Sequence, residues 1–162
     1  RIDGRGLEIN QKYVQECLTK GLAVIEGDAE KDLVNYPNRS FDIAILNQAI
    51  QQFYEPRRVL NELLRIAQKA IISIPNFGYW KVRLNLFLTG TMPVTKTLPH
   101  SWYDTPNLHM SSIKDFYNLC NLDNIKVIKS ISISSNKISD ITSNNLELKN
   151  LVSELGVFVV SK

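Results

Sequence analysis

Apolar and polar positions follow two periods along this chain, and the switches between them predict an order of elements. Gly6–Asn10 (GLEIN) reads as a short apolar strand ending in polar residues. Gln11–Lys20 then sets Tyr13, Val14, Cys17 and Leu18 at helical spacing, with Gly21 as its stop. Leu22–Glu26 (LAVIE) is the next strand, closed by Gly27 and Asp28, and Phe41–Leu46 (FDIAIL) is a third. Pro56–Ile66 predicts a helix with proline in its first turn and Val59, Leu60, Leu63 and Leu64 toward the core. Lys69–Ile74 is a fourth strand, stopped by Pro75.

Tyr79–Leu88 is helical again, with Trp80, Leu84, Phe87 and Leu88 on one stripe and Val82 and Leu86 off it. A helix apolar nearly all round is expected to be buried, under a partner or under a neighbouring loop, and Leu84 and Phe87 are expected in the core. Ser112 to Asp115 (SIKD) matches a capping box and opens a helix to Leu122. Ile125–Ile133 and Leu155–Val160 read as closing strands, and the Ser- and Asn-rich stretch 134–145 as a surface loop or hairpin tip. Strands alternating with helices predict an α/β fold with a mainly parallel sheet covered on both faces. Ligands bind such sheets outside the carboxyl ends of the strands, which singles out Glu8–Asn10, Gly27–Ala29 and Asn47–Gln48.

Gly90–Phe116 breaks the pattern with Pro93, Pro99 and Pro106, Trp102 and Tyr103, His100 and His109, and Asp104. Loops this long in a compact domain are functional or disordered, and disordered segments avoid Trp, Tyr and Met. The segment therefore reads as an ordered loop that covers or builds a site.

The remaining composition narrows the class. The 162 residues fit one domain, 1–162, and a hydrophobic share of 44% beside 22% charged residues suits a soluble globular protein. A net charge of +3 without a basic block gives no argument for nucleic acid, and Arg57–Arg58 reads as a solvated pair at a helix start. Cys17 and Cys120 lie in helical patterns without metal-ligand spacing, which predicts no metal site and a reducing, cytoplasmic compartment. No apolar run is long enough to span a bilayer. The chain opens on Arg1 and enters a strand almost at once, which suggests a fragment.

At the strand ends, Glu8 suits a carboxylate that accepts from both hydroxyls of a ribose, or an exposed acid beside a helix start. Asp28 suits an acceptor for an adenine amino group, or the cap of a following turn. Asn47, with Gln48, suits a polar ligand tail.

GLEIN, VIEGDAEKDL and the run from Phe41 to Trp80 together resemble class I S-adenosylmethionine-dependent methyltransferases, which implies a three-layer Rossmann-like fold. The segment Pro75–His109 (PNFGYWKVRLNLFLTGTMPVTKTLPHSWYDTPNLH) resembles more narrowly the family of the methionine biosynthesis protein MetW, and the likeness spans essentially the whole chain. It implies Glu8 on the cofactor ribose, Asp28 with Ala29 at the adenine, and Asn47 bordering the methionine moiety. The family's first strand and glycine-rich loop have no counterpart here. The expected consequence is a gap of roughly 10 Å between Gly6–Asn10 and Phe41–Leu46, with two unpaired edges and weak cofactor binding by this piece alone.

Within the loop, His109, Asp104 and Tyr103 are the groups able to act as a base or to orient one. Trp80, Trp102 and Tyr103, with Asp104 and His109, suit an acceptor pocket or a protein interface. Two functions follow. The resemblance implies an accessory protein of methionine biosynthesis that acts with homoserine O-acetyltransferase, the loop and helix Tyr79–Leu88 forming a docking surface. The alternative is an active methyltransferase on a small-molecule acceptor.

Overall fold

A computed structural model of the protein describes residues 3–135 and 137–162. Two sheets organise the chain. β1 (Gly6–Glu8) and β2 (Val24–Glu26) form a parallel ribbon joined by α1 (Gln11–Thr19). The larger sheet holds β3 (Phe41–Asn47), β4 (Ala67–Pro75), β5 (Lys126–Ser134), β6 (Lys137–Asp140) and β7 (Leu155–Ser161), in the order β3-β4-β7-β5-β6. β3 and β4 pair in parallel, whereas β7 runs antiparallel to both β4 and β5, and β6 antiparallel to β5. Three of these five strands thus share one direction, so the sheet is mixed.

The remaining helices are α2 (Ala29–Asp32), α3 (Pro56–Ile66), α4 (Trp80–Thr89), α5 (Ile113–Leu122) and α6 (Leu146–Val152). α3 buries Val59, Leu60, Leu63, Leu64 and Ile66, the stripe expected from its spacing extended by one residue. β7 alternates, with Gly156, Phe158 and Val160 buried and their neighbours half-buried. That row faces Ala70, Ile72 and Ile74 of β4 in register. Leu60 and Leu64 of α3 and Ile113, Phe116 and Cys120 of α5 complete the main core against it. A second cluster uses the other side of α3, where Val59, Leu63 and Ile66 meet Leu33 and Ala67, with Leu7 of β1 packed against them.

α5 starts as expected. The Ser112 side chain accepts from the Asp115 N–H at 3.2 Å and the Asp115 carboxylate accepts from the Ser112 N–H at 2.9 Å, a complete capping box. Burial pushes the Cys120 thiol up to about 12, with the nearby Asp123 carboxylate adding to the shift. Cys17 is only half-buried. Because the thiolate is the nucleophile, iodoacetamide at pH 8 should label the folded protein once, at Cys17, and label Cys120 only after denaturation. Two labels on the native protein would contradict the burial of α5.

One expectation fails and another is extended. Leu84 and Phe87 are exposed, and α4 buries only Val82. Stretch 134–145 does form a hairpin tip, but β6 occupies part of it and α6 follows, a helix that its sequence pattern concealed.

Candidate functional site

At the carboxyl end of β1, the Gly27 N–H donates to the Glu8 carbonyl at 3.0 Å, carrying the ribbon one step past its last strand pair. Glu8 Oε1 accepts from the Asn10 N–H at 2.7 Å, and the Asn10 side chain caps α1 by accepting from Lys12 N–H at 3.0 Å. The half-buried Glu8 carboxylate is thereby held at the strand–helix junction, with one oxygen engaged locally.

Asp28 is the N-cap of α2. Its Oδ1 accepts from the Glu30 N–H at 2.9 Å, and Lys31 Nζ lies 3.0 Å from Oδ2. Asp32 folds back so that its Oδ2 accepts from the Asp28 N–H at 2.7 Å. A Cβ on Gly27 would stand 2.7 Å from that same oxygen and 2.8 Å from Leu7 Cδ1, so a larger residue there would have to displace both side-chain ends. The Lys31 ammonium and the Glu30 N–H hold the Asp28 carboxyl below the usual carboxylate range. Its stabilising contribution is present above the ordinary carboxylate pKa and lost as the pH falls through the lowered value. Both oxygens are occupied, which is the turn-capping role weighed for Asp28, and Ala29 is the first residue of the helix it caps.

Asn47 ends β3 with its side chain tied down. Ser73 Oγ donates to Asn47 Oδ1 at 2.5 Å and itself accepts from the Gln48 N–H at 3.0 Å. Gln48 has φ +48°, a left-handed conformation that costs a residue with a side chain. Gln51 supports that turn by donating from Nε2 to the Gln48 carbonyl at 2.8 Å. Its backbone carbonyl accepts from Leu108 and His109 N–H at 2.9 and 3.0 Å. One residue therefore pins the end of the long loop to the turn after β3. Glu8 and Asn47 end strands of the parallel pairs and Asp28 follows β2 by two residues, yet among the described residues no strand hydrogen-bonds β1 to β3.

The loop itself is anchored on one side and open on the other. Leu98 is buried against Tyr79 and Val82, and Pro93 is buried as well. Trp102 and Tyr103 form an edge-on pair with centroids 5.7 Å apart and remain 74% and 76% exposed. His109 and Asp104 are exposed. Among the described residues, the side chains of His109, Asp104 and Tyr103 make no hydrogen bond that would orient a base. Trp80, half turned to solvent, carries Lys81 Nζ at 5.6 Å from its ring centroid. Beside the loop, an open cleft of ≈ 570 Å³ is lined by Tyr79, Lys81, Asn85, Thr95, Lys96 and Glu154, apart from the three strand-end residues. Among the described residues, no group of three His, Cys, Asp or Glu side chains is placed to hold a metal ion.

Two residues escaped the sequence reading. Gln51 is 3% exposed, and its buried Oε1 has no donor among the described residues. Asn76 is 1% exposed, and both polar atoms of its amide are hydrogen-bonded, to α6 and its C-cap, to the start of α5 and to the turn before α4. Both are polar, so apolar periodicity passes over them.

Comparison with known proteins places this arrangement. The family model of the methionine biosynthesis protein MetW matches residues 1–160. A curated relative, the bifunctional methionine biosynthesis protein MetXA/MetW of Rhodopirellula baltica, is 31% identical over 123 residues. That alignment takes in 75% of this chain and 20% of the relative, so the chain spans about a fifth of the relative's length. Among solved structures, a SAM-dependent methyltransferase of Thermotoga maritima, described as a possible histamine N-methyltransferase, superposes with a TM-score of 0.70 at 16% identity. It is covered over 72% of its length by 98% of this chain. A SAM-dependent methyltransferase of Archaeoglobus fulgidus gives 0.65 at 14% identity, over 99% of this chain and 76% of its own. At such identities the likeness establishes a methyltransferase-like α/β fold and nothing finer.

Proposed function

The chain belongs to the family of the methionine biosynthesis protein MetW, and from that premise we propose that it serves methionine biosynthesis as an accessory protein to homoserine O-acetyltransferase. The observation that carries this reading is the loop. Its possible bases stand exposed and unoriented while its aromatic side chains point outward, an arrangement suited to recognition rather than proton transfer. The bifunctional relative, whose name joins MetXA to MetW, supports the choice of partner.

The scaffold keeps a place for S-adenosylmethionine. Glu8 has an oxygen available for ribose hydroxyls, and Asn47 lies at the next strand end. An adenine amino group at Asp28 would have to share an acceptor already in use, and Asn47 Oδ1 is likewise taken by the Ser73 hydroxyl, so Glu8 fits the cofactor better than Asp28 and Ala29 do, with Asn47 offering its Nδ2. β1 and β3 both present unpaired edges among the described residues, and Ile43 and Ile45 on β3 are 52% and 71% exposed. A further strand seated between them, with the glycine-rich turn that follows it, would close both edges and complete the cofactor floor. Catalytic methyl transfer is the less supported role, since no hydrogen bond among the described residues orients the side chains of His109, Asp104 or Tyr103.

Co-purification tests the main reading. The full-length protein should retain homoserine O-acetyltransferase and change its rate of O-acetylhomoserine formation. Absence of both a complex and a rate change would remove the accessory role.

A further inference from the structure

α4 is mounted the wrong way round for a core helix. At 3.6 residues per turn, Trp80, Leu84, Phe87 and Leu88 stand at i, i+4, i+7 and i+8, the spacing of a packing stripe. Val82 lies on the opposite side of the same helix, and it is Val82 that is buried, against Leu98 and Tyr79. The stripe consequently points away from the body, with Phe87 at 85% and Leu88 at 69% exposure. Four large apolar side chains aligned on one exposed helix face mark an interaction site.

Charge narrows the occupant. α4 (WKVRLNLFLT) contains no acid, and Lys81 and Arg83 fall on the two flanks of the stripe. Two copies packed stripe to stripe would bring four cations together, which opposes self-association. A protein groove with an apolar floor and carboxylates on its rim would satisfy both features, the mode in which an amphipathic helix lies in a groove. Resting on the accessory role proposed above, we infer that this outward stripe of α4 is the surface that seats in an acid-rimmed apolar groove of homoserine O-acetyltransferase.

The test measures the affinity of the full-length protein for the acetyltransferase. Phe87→Glu and Leu84→Glu should each weaken the complex about thirty-fold or more, as loss of an interface anchor does. Lys81→Glu should weaken it less and flatten its salt dependence, whereas Ile138→Glu, on β6, should leave it unchanged. Since these side chains are exposed, melting temperatures should stay near that of the parent protein, separating a docking defect from misfolding. If the parent protein forms no complex, the accessory role itself fails and this inference with it. A parent complex that survives Phe87→Glu overturns only the surface assigned here. Two other results would also overturn it: a dimer of this chain abolished by Phe87→Glu, or binding to anionic phospholipid vesicles that Phe87→Glu abolishes while the acetyltransferase complex persists.

Discussion

Asn76→Ala is expected to destabilise the protein by on the order of 3 kcal/mol or more, because it strands buried polar groups on three separate elements. Asn76 Nδ2 donates to the carbonyls of Asn150 and Ser153, both at 2.7 Å, closing α6 onto the end of β4. Its Oδ1 accepts from the N–H of Gly78 at 2.9 Å and of Ile113 at 3.3 Å, fixing the entry to α4 and the start of α5. Asn150 returns the favour by accepting from the Lys114 N–H at 3.2 Å. Gly78 sits so close that a Cβ there would lie 3.0 Å from atoms of both asparagines. Alanine at position 76 leaves two carbonyls and two N–H groups without their partner in a site water barely reaches. Asn76→Asp should be at least as damaging at neutral pH, since a carboxylate faces two carbonyl oxygens and donates nothing. Its deficit should shrink in acid, where a protonated carboxyl regains one donor. Urea unfolding midpoints read both effects, and a loss below about 1 kcal/mol for alanine would refute the role given to Asn76.

Phe158→Ala should cost about 3–5 kcal/mol, and Phe158→Leu less than about half of that. Phe158 is fully buried at the centre of β7, with Ile72 on one side in register and Ser130 on the other. Its ring stands 4.5 Å from that of Phe116 and 5.5 Å from that of Tyr117, so it joins the sheet to α5. Truncation opens a cavity that strands and helix, both tied by hydrogen bonds, cannot collapse to fill. Phe87→Ala is the informative partner, expected to change stability by no more than about 0.5 kcal/mol because its ring is already in solvent. Equal losses at positions 87 and 158 would show that the α4 stripe is covered within the chain after all.

The contrast between these phenylalanines marks where the sequence stopped being legible. Apolar spacing located α3 residue for residue, and the capping box located α5, because each signal is local to a few turns of backbone. The same spacing located α4 yet assigned Leu84 and Phe87 to the core, since periodicity identifies a stripe and not the side of the molecule it meets. α6 went unread for a related reason: its one buried residue is Asn150, a polar side chain retained by the Asn76 network. In the candidate site, the chain position of Glu8, Asp28 and Asn47 was readable from strand ends. That Asp28 takes the capping role, one of the two readings its position allowed, was left open there, and that Gln51 pins the loop at residues 108 and 109 was not readable.

By itself the sequence determined the alternation of strands and helices, the caps and stops that bound them, and family membership through the segment from Pro75 to His109. All of these follow from interactions within short stretches of chain. Only the tertiary structure decided that β7 returns antiparallel between β4 and β5, that Asn76 binds two distant segments, and that α4 turns its apolar stripe outward. Those outcomes depend on which surfaces meet after the chain has folded: α4 meets Tyr79 and Leu98 through Val82, on the side opposite its apolar stripe.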